Sequence, residues 1–599
     1  MKRTLTALLA VAGGYILSAG PAPADMPPPP PQPPKPAAAP DDLPKVLSKA
    51  DVRRYRRIFA LGGPGAWDKA DALIAELDNR ILVGHALAQR YLHPTAYYTP
   101  FNELRAWLKR YHDHPQAHSL YELAMQRRPG GAGPVHRPTY TRASVAELPG
   151  GTHDPETVFD GPRAYGRERA QHVLWRVRTN VNRTRLSITE AYLQRDNVRG
   201  ALRADEMGWA RAKVAAGWYY YGDDREARAI ATDAAARTGE PYAHWIAGLA
   251  AWRQGDLKPA GEHFAAVATA DDAPVGKQAA GAYWAARAHI RLREPAEMGR
   301  WLRRAAAHPD TFYGQLARAA LGTTPDIRMR PPEPPEGAFR ELRTHPAGRR
   351  ALALMQVGKR ELAKRELLGM PGWDERDSAA TLLLAAERGG LSAFAHDMAR
   401  HMSEMPAARW RQAAVNAARY PIPLWRPHTG FRIDRALLYA VMRKESGYEP
   451  VARSGAGARG LMQIMPATAR FVAERNNLRY TDYNFSRPAW SLNIAQQYLR
   501  YLLDRGSVDG NLIRLLTAYN AGPGNLRRWL DEVDHGGDPL LFIESIPSAE
   551  TRRYVEEVMR NVWFYRGRLG EAAPSRRMLA AGRVPRYGVG GDEQEIARK

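Results

Sequence analysis

The chain contains no cysteine. That excludes a disulfide framework, a Cys-ligated metal and a lipid-modified N-terminal cysteine. It has no apolar run long enough to span a bilayer. The longest candidate, Leu5–Ser18, is short and broken by Gly13 and Gly14. β-Branched runs are scarce, which argues against sheet. Acidic residues are also in deficit: 63 against 87 Lys and Arg, a formal net charge of +24 over 599 residues. Such a balance favours an anionic partner: nucleic acid, an acidic membrane surface or an acidic polymer. No RNA- or DNA-binding motif is present.

The N-terminus narrows the choice. Met1-Lys2-Arg3 is basic, the following segment is apolar, and Ala22-Pro23-Ala24 has the small-residue pattern of a cleavage site. Residues 1–24 therefore read as a signal peptide cleaved near Ala24, which places the mature chain in the periplasm, away from nucleic acid. Residues 25–42, with "MPPPPPQPPKPAAAP", read as a Pro-rich tether. From 43 to 335 the apolar spacing is helical. "WYYYGDDREARAIATDAA" (Trp218–Ala235) resembles "AAWRQGDLKPAGEHFAAVA" (Ala250–Ala268), and "GAYWAARAHIRLREPAEMGRWLRRAAA" (Gly281–Ala307) is a looser copy. Gly222 and Gly255 stand 255 − 222 = 33 positions apart, close to the period of stacked helix-turn-helix repeats. This predicts an α-superhelical solenoid, either a cradle for a polymer or partner or a plain scaffold. "RPPEPPEG" (Arg330–Gly337) marks a boundary, and 336–425 reads as a helical linker domain ending at "RYPIPLWRP" (Arg419–Pro427). A compact domain follows over 426–570, and 571–599 reads as a basic mobile tail. The predicted fold class is all-α throughout.

The candidate chemistry lies after Pro427. Asp434 is a good N-cap and Gly447 a good C-terminal stop, which predicts a helix between them. Ile433, Leu437, Ala440 and Val441 form an apolar stripe, and Leu438, Met442 and Glu445 share a neighbouring face. Glu445 then sits in the last turn against apolar side chains. Burial and the negative helix end both raise its pKa, and a carboxylic acid kept protonated near neutral pH is a general acid. Arg443 and Lys444 point to other faces. Glu449, after the glycine stop and before Pro450, reads as an exposed turn residue. Three more stretches follow. "SGAGARGLMQIMPATA" (Ser454–Ala469) sets Gln463 between a glycine turn and a helix opened by Pro466; its amide offers a donor and an acceptor to a sugar. "LLTAYNAGPGNLRRWL" (Leu515–Leu530) puts Tyr519 and Asn520 at a helix end, a sugar-binding pattern. "FIESIPSAETRRYVEEVMRNVWFY" (Phe542–Tyr565) carries Glu550, Arg552 and Tyr554 at the start of a packed helix.

The ordered set Glu445-Ser446, Gly460-Leu461-Met462-Gln463, Ala518-Tyr519-Asn520-Ala521-Gly522 and Ile546-Pro547 with Glu550-Thr551-Arg552 and Tyr554-Val555 resembles the catalytic domain of soluble lytic murein transglycosylases. The helical remainder is similar to the large exported members. One stretch departs: "SLNIAQQYL" puts Ser491 where the family has Asn and Ala495 where it has Gly, which bears on helix packing more than on catalysis. The resemblance implies a lysozyme-like fold for 426–570. It implies cleavage of the MurNAc–GlcNAc β-1,4 bond of peptidoglycan without water, leaving 1,6-anhydro-MurNAc ends. Glu445 would act first as general acid and then as base. Ser446 would orient Glu445 or its neighbours and stands among the substrate-binding residues. Met462, Gln463, Tyr519, Asn520 and Tyr554 would line the sugar groove, and Glu544 would contact a stem peptide or acetamide. No cofactor and no metal is implied. The expected partners are peptidoglycan glycan strands, with periplasmic cell-wall synthesis or assembly proteins beside them.

Two other readings compete. A hydrolytic muramidase similar to goose-type lysozymes would need a second carboxylate to place water, with Glu449, Asp482 or Glu544 as candidates. A periplasmic scaffold would only hold glycan.

Overall fold

The computed structural model describes residues 43–141, 159, 161–323, 337, 339–373, 376–402 and 409–588. The expected signal peptide and tether lie outside them. Among the described residues the regular elements are helices, with only isolated β-bridges such as Arg459–Ile464 and Asn511–Arg586. The all-α reading holds.

The repeat is real at the level of backbone. Helices Ala204–Tyr220 and Asp224–Thr238 form one pair, Pro241–Arg253 and Leu257–Thr269 the next, and Val275–Leu292 and Pro295–Ala306 a third. Gly222 and Gly255 turn each of the first two pairs in the left-handed region, at φ +85° and +84°. The third copy makes the same turn with Arg293 at φ +64°, a strained choice for a side-chain-bearing residue, which is why its sequence looks looser. Small residues let the pairs pack closely. A Cβ at Gly281 would come within 2.6 Å of the Phe264 carbonyl oxygen.

A long-range contact crosses the expected domain boundary at 335, which itself lies outside the described residues. Residues 43–86 do not build their core with the repeats. Tyr55, Phe59 and Leu82 share one buried cluster with Leu352, Leu383 and Phe394 of the 336–425 segment. The Gln356 side chain ties the seam, accepting from the Val46 and Leu47 amides at 2.9 and 3.0 Å and donating to the Leu47 carbonyl at 3.1 Å. The N-terminal helices thus pack on the linker helices.

The last domain in turn shares one continuous buried core with the superhelix. Phe312 stacks on Trp563 with centroids 5.1 Å apart. Tyr219 Oη and Ser545 Oγ are 2.8 Å apart, and Arg287 pairs with Asp538 at 2.5 Å. Glu544 is 1% exposed; the Tyr313 hydroxyl donates to it and Lys277 Nζ stands 3.7 Å away. A buried carboxylate that loses a donor keeps its desolvation cost. Tyr313→Phe is therefore expected to destabilise the protein by about 1.5–3 kcal/mol, read as a lower urea midpoint at unchanged slope.

The segment read as a mobile tail is folded up to residue 588. Helix Pro574–Ala580 buries Ser575 and Leu579, the Leu512 amide donates to the Pro585 carbonyl at 2.9 Å, and Tyr587 Oη accepts from the Asp434 amide at 2.9 Å. Composition suggested mobility; the few anchoring groups outweigh it. Residues 589–599 lie outside the description.

Candidate active site

Helix Arg435–Ser446 runs between the expected caps. The Asp434 carboxylate accepts from the Ala436 and Leu437 amides, and Gly447 closes the helix at φ +55° with its amide on the Arg443 carbonyl. The helix is more buried than a stripe predicts: Ala436 through Met442 are all in the core, as expected for a helix apolar all round. It lies against helix Ala549–Leu569. Arg443 and Lys444 are taken up elsewhere, Arg443 by Asn561 Oδ1 at 3.1 Å and Lys444 by Glu557.

Glu445 therefore ends a core helix. The residue as a whole is half-buried, but protein crowds its carboxyl closely. Desolvation pushes its pKa up from 4.5 to about 8; an interaction with the Tyr554 hydroxyl and the charge of Lys444 oppose the shift, and the charge of Glu550 adds to it. The helix end contributes in the same direction as burial. At neutral pH the group is predominantly the neutral acid.

Beside it stands a run of tyrosines. Tyr554 and Tyr519 are parallel, 10° apart with centroids at 6.4 Å, and Tyr519 meets Tyr498 at 5.6 Å. The Tyr519 hydroxyl donates to the Met462 carbonyl at 2.9 Å, which anchors the loop after the glycine turn. The Tyr554 hydroxyl is buried and feels the Glu445 carboxyl, yet no protein atom meets it at full hydrogen-bond geometry. A buried hydroxyl left open beside a neutral acid is a place for a third group to bind. Burial also pushes Tyr498 up to about 12.

The loop 460–463 is held by its own backbone and by Ser446. Ser446 Oγ donates to the Leu461 carbonyl at 2.8 Å, so its hydroxyl positions the loop. Gly460 sits at φ +74°, and a Cβ there would lie 2.6 Å from the Phe485 carbonyl oxygen and 3.2 Å from Ser491 Oγ. The departures Ser491 and Ala495 are both buried in helix Pro488–Leu503. Gln463 spends its amide nitrogen on the Ala452 and Gly460 carbonyls, at 3.1 and 2.9 Å; the oxygen half remains for a ligand. Met462 is fully buried. Ser446→Ala leaves the buried Leu461 carbonyl short of a donor. The expected cost is about 1–2 kcal/mol, read by denaturation, with activity lowered in step as the loop loosens.

Asn520 joins the cluster through Thr551, whose Oγ1 donates to Asn520 Oδ1 at 2.7 Å. Tyr498, Glu550 and Thr551 are members of the site that the sequence reading left out of its site residues. Two were already in the quoted motif Glu550-Thr551-Arg552, and their helical register with Tyr554 was the signal. Glu449 is half-buried in the turn after Gly447. Glu544 is not brought to Glu445. With Glu556, whose pKa burial and the Glu544 charge raise, it lines a separate cavity of about 420 Å³ between the superhelix and the start of helix Ala549–Leu569. Lys213, Lys277, Arg552 and several aromatic rings complete that lining. The one helix thus turns Tyr554 toward Glu445 and Arg552 and Glu556 toward the cavity.

Comparison with known proteins gives a consistent picture. Residues 426–541 match the family model described as Transglycosylase SLT domain. The soluble lytic murein transglycosylase of Salmonella typhimurium strain LT2 is 37% identical over 146 residues, 24% of this chain and 22% of that protein. The aligned stretch thus spans under a quarter of this relative. The 70-kDa soluble lytic transglycosylase of Escherichia coli shares the fold over 90% of this chain and all of its own, with a TM-score of 0.52 at 18% identity. An inactive Glu-to-Gln variant of the lytic transglycosylase Slt from Pseudomonas aeruginosa covers 90% of this chain and 92% of its own, with a TM-score of 0.50 at 19% identity.

Proposed function

We propose that this chain, whose residues 426–541 form a transglycosylase SLT domain, is a lytic transglycosylase acting on peptidoglycan in the periplasm with Glu445 as its single acid and base. The observation that carries the reading is the placement of Glu445 in the last turn of a core helix beside the open Tyr554 hydroxyl, where burial raises its pKa to about 8.

In the first step the protonated Glu445 gives its proton to the oxygen of the MurNAc–GlcNAc β-1,4 bond. The C–O bond breaks, and positive charge develops at C1 of MurNAc, assisted by the substrate's own acetamide. Glu445, now a carboxylate, takes the proton from the MurNAc C6 hydroxyl as that oxygen bonds to C1. The product is a 1,6-anhydro end and Glu445 is protonated again. One carboxyl suffices because the nucleophile is part of the substrate, which removes the need to position water and gains from proximity. Tyr554 would donate to the developing carboxylate. The Gln463 carbonyl oxygen, Tyr519 and Asn520 would hold the sugars. The excess of basic residues suits an anionic, peptide-bearing glycan. The inactivity of the Pseudomonas aeruginosa Glu-to-Gln variant fits a mechanism that depends on one glutamate.

The hydrolytic alternative has one observation in its favour: Glu550 is an exposed carboxylate whose charge reaches Glu445. Mass spectrometry of the soluble products from purified sacculi separates the two. Ends lighter by one water support transglycosylation. Reducing ends would assign hydrolysis and make Glu550 the first residue to test.

A further inference from the structure

A cluster on other elements, outside the site around Glu445, has no part in this chemistry. His85 lies on helix Val83–Tyr91, His114 in the turn between helices Phe101–Tyr111 and Ala117–Gln126, and Glu366 on helix Arg360–Leu368. They meet at the seam where the N-terminal helices pack on the linker helices. All three are buried, at 1%, 3% and 0% exposure. We propose that His85, His114 and Glu366 form a binding site for a divalent transition-metal ion, with zinc the best match to two imidazoles and one carboxylate.

Three observations carry this. One ligand atom from each residue lies within 4.8 Å of the other two. A tetrahedral ion with bonds near 2.1 Å sets its ligand atoms ~3.4 Å apart, so closure asks the side chains to move by about an ångström. The His85 and His114 Nε2 atoms are both buried without a hydrogen-bond partner. His85 Nε2 stands 2.8 Å from Glu366 Oε1 without hydrogen-bond alignment, and an ion bound between them would draw the two atoms apart to ~3.4 Å. Buried polar atoms are rarely left open, and two in one cluster mark a missing third party.

The surrounding groups have the arrangement that orients metal ligands. Asp113 Oδ1 is 3.0 Å from His114 Nδ1, which holds the proton there and leaves Nε2 bare. The Gln116 amide is 3.0 Å from His85 Nδ1, and its oxygen is another buried orphan. Turning that amide over places the oxygen on the Nδ1 proton, satisfies the orphan and bares His85 Nε2 as well. Arg350 binds both Glu366 oxygens at 2.8 and 3.0 Å and Asp113 at 2.9 Å. Glu366 and the part-exposed Asp113 share the single guanidinium of Arg350. Position 84 is open to the ring: a Cβ there would come within 2.5 Å of His114 Nε2, and the residue is Gly84. A bound ion would clamp the N-terminal helices to the linker helices.

The test uses untagged full-length chain, stripped with a chelator and titrated with Zn²⁺ against a chromophoric competitor, then with Co²⁺ to read the visible bands of a tetrahedral site. The expected result is one ion per chain at a Kd below ~1 µM, with the lowest unfolding transition raised by several degrees. His85→Gln and His114→Gln should weaken binding by about 100-fold or more, while His244→Gln, in the separate His244–His263 pair, should not. If the wild type takes up no ion below about 10 µM, the proposal fails whether or not the variants fold. Tight binding that survives both His85→Gln and His114→Gln would also overturn it, leaving the cluster a buried ion-pair network.

Discussion

Glu445→Gln leaves a folded protein whose release of soluble products from sacculi falls by about 10³-fold or more. General acid and base steps are each worth ~10²–10⁴ in rate, and in the proposed mechanism one group performs both. Gln is isosteric and cannot transfer the proton. The variant also carries a stability signature that a damaged fold would lack. The Glu445 carboxyl titrates at about 8 in the folded chain against 4.5 unfolded. Below about pH 4.5 the group is protonated in both states and contributes nothing to the pH dependence. Between there and about 8, unfolding releases a proton, so stability falls as pH rises; above about 8 the full cost of a buried charge is present. Gln removes that cost. The variant should match wild type in Tm near pH 4 and exceed it near pH 9. Wild-type activity should decline above about pH 8, as the starting acid ionises.

Tyr554→Phe is expected to lower kcat by about 10- to 100-fold and to move the basic limb of the pH profile upward. The hydroxyl is the strongest influence pulling the Glu445 pKa down against desolvation. Without it the neutral acid persists to higher pH. The rate still falls, because the carboxylate formed after bond breaking loses the stabilising interaction of the buried Tyr554 hydroxyl. KM should move little if Tyr554 acts on the carboxylate rather than on the sugars. A rise in KM with kcat unchanged would make it a binding residue only.

The parts of the molecule set by local chemistry were legible in the sequence. Asp434 and Gly447 bound the helix of Glu445 because capping is decided within a few residues. Gly222 and Gly255 announced their turns because a left-handed backbone selects for glycine, whereas Arg293 makes the same turn unannounced. What remained hidden depends on distant partners. Nothing near Glu544 tells that Tyr313, 231 positions away, takes its carboxylate into the superhelix interface. Nothing near Leu352 tells that Tyr55 and Phe59 share its core. Ser446 follows Glu445 in the chain, but that its hydroxyl turns to the Leu461 carbonyl follows from tertiary packing. Tyr587 shows the same limit, since a Gly- and Arg-rich tail gives no hint that one hydroxyl will anchor it at Asp434.

The measurement that bears most directly on the central claim is digestion of sacculi by the wild-type chain in water enriched in heavy oxygen, with the product ends read by mass spectrometry. If the C6 hydroxyl of the substrate is the nucleophile, every new MurNAc end is an anhydro end and none carries the label. Labelled reducing ends, formed at the rate of cleavage and lost in Glu445→Gln, would contradict the account and make the site a hydrolase.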